Sequence, residues 1–179
     1  ASRALTFPGA ATFDIVAEAN TFTVGVPAFT AGGLTKQGLG SLSFANAITL
    51  GTSPLVVKAG VLRVGADIAL MSTANDFVIG NTVLAPGMGG AVLNQSSGTV
   101  SITGTDVETA QIGSGIGAFG AYVLSGGAYA GTRVSVGAAG STGMLTVLNG
   151  ATFSTVNYLI GGRGATATAS FTLAGGTVN

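Results

Sequence analysis

The chain has 179 residues, of which 47% are hydrophobic and only 7% charged, and six basic residues balance six acidic ones to a net charge of zero. That length and apolar content suit one domain with a sizeable core rather than a disordered polar chain, and the missing basic surplus excludes a nucleic-acid binder. There is no His and no Cys, which removes Ser-His-Asp triads, cysteine nucleophiles, zinc sites and disulfides.

Residues 1–31 contain the run ALTFPGAATFDIVAEANTFTVG, whose pattern is less regular than that of residues 32–179 and reads as a start or a cap. No basic stretch leads into an apolar one here, so a signal peptide is expected to be absent or already removed. Within FDIVAEA, Asp14 and Glu18 are expected to share one face of an exposed strand, opposite Phe13, Ile15 and Ala17. On that face the charges would guard a sheet edge against pairing.

From residue 32 the sequence reads GGLTKQGLGSLSFANAITLGTSPLVVKAGVLRVG. The alternating runs Leu39–Phe44 and Val61–Val64 predict short strands. Gly32, Gly33, Leu34, Thr35, Lys36, Gly38, Gly40, Leu42 and Phe44, followed by Val57, Gly60, Leu62, Val64 and Gly65, make this segment similar to the passenger-associated strand repeat of bacterial autotransporters. The resemblance implies a right-handed parallel β-helix, exported and displayed outside a Gram-negative-type cell. It transfers no active-site residue, because the motif supports a fold rather than a chemistry. The family's C-terminal translocator barrel has no counterpart in these residues, so the expectation is either a piece of a longer chain or export by another route. The most apolar stretch, Leu55 to Met71, is interrupted by Lys58, Gly60, Arg63 and Asp67, and a membrane-spanning helix is not expected.

The second half repeats itself. Gly127, Ala151 and Gly176 recur at spacings of 24 and 25, and Ile112, Val136 and Ile160 at 24. Two markers holding one period predict a β-solenoid, in which successive coils pair in parallel at about 4.8 Å. The strands Tyr122–Leu124 and Phe171–Leu173 belong to it, and no amphipathic helix interrupts them. Ile112, Val136 and Ile160 are expected to stack inward as one column. Gly113, Gly137 and Gly161 are expected at a corner with positive φ or no room for a side chain. The VIG at 78–80 extends the array upstream across an interval of 33. Gly98 to Ile112 spans 14 residues where Gly127 to Val136 and Ala151 to Ile160 each span nine, which predicts a loop within 102–110 carrying Asp106 and Glu108. Thirty-one glycines and four prolines punctuate such a chain at its corners.

The fold class is therefore all-β, a right-handed parallel β-helix (β-solenoid) with rungs of about 24 residues. It forms one domain, 1–179, with a less regular start at 1–31, passenger-type strand repeats at 32–90 and regular rungs at 91–179. A propeller blade needs about 40 residues and four strands, and a sandwich calls for no fixed-period column.

Chemistry is sparse. The acids are Asp14, Glu18, Asp67, Asp76, Asp106 and Glu108, and only Asp14/Glu18 and Asp106/Glu108 are close in sequence. Paired-carboxylate glycoside hydrolysis needs two acids about 5–9.5 Å apart, and no basic residue recurs at the rung period. A β-helix enzyme acting on polysaccharide, with Asp106 and Glu108 in a cleft, is the alternative reading. Threonine rows for ice binding fail on periodicity, since Thr-x-Thr does not recur rung by rung. The clusters GGRG (161–164) and GMGG (87–90) lack the lysine and helix of a phosphate loop and read as corners, and Met71, Met88 and Met144 read as column fillers. The function expected is thus non-enzymatic: an extracellular structural element of a bacterial surface, acting in adhesion or self-association into fibres. Its partners would be itself or a host or matrix surface, with no catalytic residue, cofactor or metal.

Overall fold

The computed structural model describes residues 3–70, 77–83, 89–102 and 110–179. The described residues hold strands and turns but no helix, and so none long and apolar enough to cross a membrane. The chain winds as a β-solenoid with rungs of about 24 residues. The first two coils contribute β1 (Leu5–Asp14) with β2 (Thr21–Val24), and β3 (Phe29–Gln37) with β4 (Ser41–Phe44). The next three break the long first side in two. They are β5 (Ile48–Leu50), β6 (Leu55–Val57) and β7 (Gly60–Val64); β8 (Ile68–Leu70), β9 (Phe77–Ile79) and β10 (Ala91–Gln95); and β11 (Thr99–Ile102), β12 (Ala110–Ser114) and β13 (Phe119–Leu124). Long strands return in β14 (Ala128–Ala138) with β15 (Thr142–Leu148), and in β16 (Thr152–Arg163) with β17 (Thr168–Ala174), before the two-residue β18 (Thr177–Val178).

The pairings between these strands are parallel and gather into two sheets, one of 11 strands and one of seven. Alternation along each strand sends every second side chain inward, and the register then lines those side chains up coil upon coil. On the larger sheet one column runs Leu5, Phe29, Ile48, Ile68, Val100, Tyr129, Phe153 and Val178. A second runs Ala11, Leu34, Leu55, Phe77, Ala110, Val134 and Leu159. The smaller sheet supplies Phe22, Leu42, Leu62, Leu93, Tyr122, Leu145 and Phe171. Members in the middle coils are buried, whereas Phe22, Phe171 and Val178 in the terminal coils are exposed. Neighbouring column rings stack, with Tyr129 and Phe153 4.4 Å apart and 9° from parallel.

The expected column is found for two of its three members. Ile79, Ile112 and Val136 pair in succession and are fully buried, so the interval of 33 does reach back to the VIG at 78–80. Ile160 is displaced: it pairs with Ser135 and is 39% exposed, while Gly161 takes the place opposite Val136. The cause is one extra residue in β16, since Gly131 pairs with Thr155 but Arg133 with Tyr158. A one-residue slip turns a side chain to the opposite face, and Val156 bulges into solvent there. The corner shifts with it. Gly113 and Gly137 have the expected positive φ, but at the next coil the residue is Gly162, with φ 66°, rather than Gly161. The longer interval after Gly98 is placed between β11 and β12. Asp106 and Glu108 themselves lie outside the described residues, as do Asp76, Met71 and Met88.

Candidate functional site

Lys36 shows how the solenoid handles a polar residue in a hydrophobic column. It lies between Phe13 and Val57 in the inward file and is fully buried. Its ammonium donates to the carbonyl oxygens of Gln37 (2.8 Å), Gly38 (2.6 Å) and Ala59 (3.0 Å), all where the chain leaves the large sheet for the small one. Burial lowers its pKa to about 8, against a smaller opposing pull from the Asp14 carboxylate. Gln95 does the same at another corner. Fully buried between Val64 and Leu124, it donates to the carbonyls of Gly98 (2.9 Å) and Ala128 (3.0 Å) and accepts the Tyr122 hydroxyl. Burial raises the Tyr122 pKa well above the usual value, with Tyr129 adding in the same sense. Lys36 and Gln95 each satisfy backbone carbonyls where the chain passes between the two sheets. Motif and spacing assign neither of them this role; the signal for it is their parity with the inward Leu34 and Leu93.

The paired acids come apart. β1 ends at Asp14, which is exposed and accepts a hydrogen bond from the Gln37 amide (3.1 Å). The chain then turns, with Asn20 N–H donating to the Ala17 carbonyl (3.0 Å), so Glu18 lies in that turn rather than on the same strand face. Asp67 caps the next coil by accepting from the Thr99 N–H (2.7 Å). Among the described residues, no group of three or more His, Cys, Asp or Glu could hold a metal ion. The clusters at 161–164 and 87–90 contribute corners where described: Gly162 and Gly164 have positive φ, and Gly89 and Gly90 precede β10. Met144 is half-buried in β15, beside Ala121 of β13 and Ser170 of β17; it alternates with the inward Leu145 and so does not fill the core column.

The outer face of the small sheet carries two adjacent grooves. One, of about 410 Å3, is lined by Glu18, Ser41, Val61, Arg63, Gly90 and Val92 among others. The other, of about 300 Å3, is lined by Ser43, Arg63, Gly65, Asn94 and Ser96 among others. Arg63 belongs to both. It alternates with the inward Leu62 and Val64, so its guanidinium is exposed, and its register neighbours are Ser43 on β4 and Asn94 on β10. Among the described residues it forms no hydrogen bond or ion pair. A further hollow of about 610 Å3, lined by Phe13, Asp14, Ile15, Val16 and Phe22 among others, lies over the first coil.

No family model, curated protein or solved structure matches the chain.

Proposed function

We propose that the protein is a non-enzymatic structural β-solenoid of the passenger type, displayed outside a bacterial cell and acting in adhesion or self-association into fibres. The supporting observation is that the recurring residues serve the stack itself. In the segment that resembles the passenger repeat, Leu34, Leu42, Phe44, Val57, Leu62 and Val64 are buried column members. Gly38 and Gly60 are its positive-φ corners, and Lys36 closes its turn. A chain whose repeating residues are used up by stacking supplies stiffness and length, and presents its lateral faces to others.

Those faces favour contact. One outward row on the large sheet runs Thr6, Thr30, Thr49, Ala69, Ser101, Ala130 and Ser154. Its side chains are small and uncharged, and with a net charge of zero little repulsion opposes side-by-side approach. The test is display of the full chain on a non-aggregating bacterium. Cell clumping or attachment to matrix-coated surfaces, above that of cells displaying an unrelated domain, is the expected result. Cells that stay dispersed and unattached would refute the reading, and turnover of a polysaccharide by the purified chain would replace it with the enzymatic one.

A further inference from the structure

From the two grooves that meet at Arg63 we infer a binding site for a short acidic oligosaccharide, held by a sugar carboxylate on the guanidinium. The inference rests on the adhesive reading above and names the ligand class for one face. The grooves run along β7, five residues long, so the trough measures roughly 16 Å at about 3.3 Å per residue. Val61 and Gly90 line the first groove, and Gly65 and Ser96 the second.

The chemistry narrows the occupant. β7 is paired on both sides, with β4 and β10, so no free edge is offered to an extended peptide and recognition falls to outward side chains. Those side chains are the hydroxyls of Ser43 and Ser96 and the amide of Asn94, a set that suits a ligand rich in hydroxyl groups. Arg63 presents a planar fork that matches one carboxylate with two parallel hydrogen bonds. A polyanion such as nucleic acid would ask for several cations, whereas among the described residues the only other charge in the trough is the carboxylate of Glu18. Glu18 therefore sets a polarity: the anionic group of the ligand docks at Arg63, and neutral sugar units extend past Glu18. No described residue of the trough pairs Glu18 with a second acid, so these residues do not make up the two-carboxylate set of a glycoside hydrolase.

The experiment is calorimetric titration of the full chain with a short oligosaccharide of neutral sugars ending in one uronic acid, and with the same oligomer after reduction of that carboxylate to an alcohol. Wild type is expected to bind the acidic form and not the reduced one. Arg63→Gln, outward on an intact ladder and checked by circular dichroism, is expected to weaken binding roughly ten- to hundredfold. Arg63→Lys should fall between the two, because it keeps the charge but loses the fork. Glu18→Gln is expected to strengthen binding about two- to threefold by removing a like charge, an effect that a structural role for Glu18 would not give. Equal binding of the reduced oligomer, an Arg63→Gln variant that binds as wild type does, or no binding of the acidic form at millimolar concentration would each overturn the assignment. Clumping or attachment of displaying cells alongside any of these results would leave the adhesive scaffold standing without this ligand.

Discussion

A buried lysine and a buried glutamine play one role in this molecule: each satisfies carbonyls that a tight corner leaves facing the interior. Replacing Lys36 with Met keeps the column filled but leaves three carbonyl acceptors without their donor. A loss of about 1–3 kcal/mol in chemical denaturation is expected. The lysine also leaves a signature in pH. Its pKa is about 8 in the fold against 10.5 for the free side chain, so between those values the unfolded chain holds a proton that the native chain has shed. Stability therefore rises with pH across that window, and Lys36→Met should flatten the rise. Tyr122 acts oppositely. Its raised pKa keeps the native hydroxyl protonated above pH 10 while the unfolded phenol ionises, so stability falls there and Tyr122→Phe should soften the fall. Both polar residues are legible in the sequence as breaks in apolar alternation. Their partners are not, because spacing along one strand says nothing of a carbonyl that a neighbouring coil brings near.

At the scale of strands and corners, backbone proximity sets which positions tolerate a side chain. A Cβ on Gly120 would lie 2.0 Å from the Ile79 carbonyl oxygen and 2.4 Å from the Gly113 nitrogen, whereas one on Gly9 would meet nothing within 4 Å. Gly120→Ala is accordingly expected to cost more than about 2 kcal/mol, since backbone cannot step aside as a flexible side chain can. Gly9→Ala should be close to neutral by the same measurement. Removing a column ring carries a different penalty: Phe153→Ala, in a fully buried site stacked on Tyr129, should lose about 3–5 kcal/mol. These elements also mark where sequence periodicity misleads. The interval of 24 between Val136 and Ile160 is real as a count, but the bulge at Val156 and Asn157 takes up one residue and hands the inward place to Gly161. Asp14 and Glu18 show the same limit, because alternation predicts a shared face only for as long as the strand continues, and β1 stops at Asp14.

Across the whole molecule, each coil is completed by its neighbours, so stability is carried by contacts between successive coils rather than by a single centre. That architecture is readable in the sequence because glycine corners and inward apolar residues recur together. The trough at Arg63 is not, since it needs three strands from three coils: Ser43 and Asn94 flank Arg63 only after the register is set. The fold as a whole depends on that register, and cysteine pairs test it directly in a chain that has no cysteine of its own. Thr30 on β3 is paired with Thr49 on β5, and Thr49 in turn with Ala69 on β8. Adjacent parallel strands at about 4.8 Å bring a Thr30→Cys/Thr49→Cys pair within disulfide reach, whereas Thr30→Cys/Ala69→Cys stands two strands apart. Air oxidation of the folded protein, read by mass spectrometry, should close the first pair nearly completely and the second not at all. An open first pair, or equal closure of both, would contradict a chain wound in stacked coils.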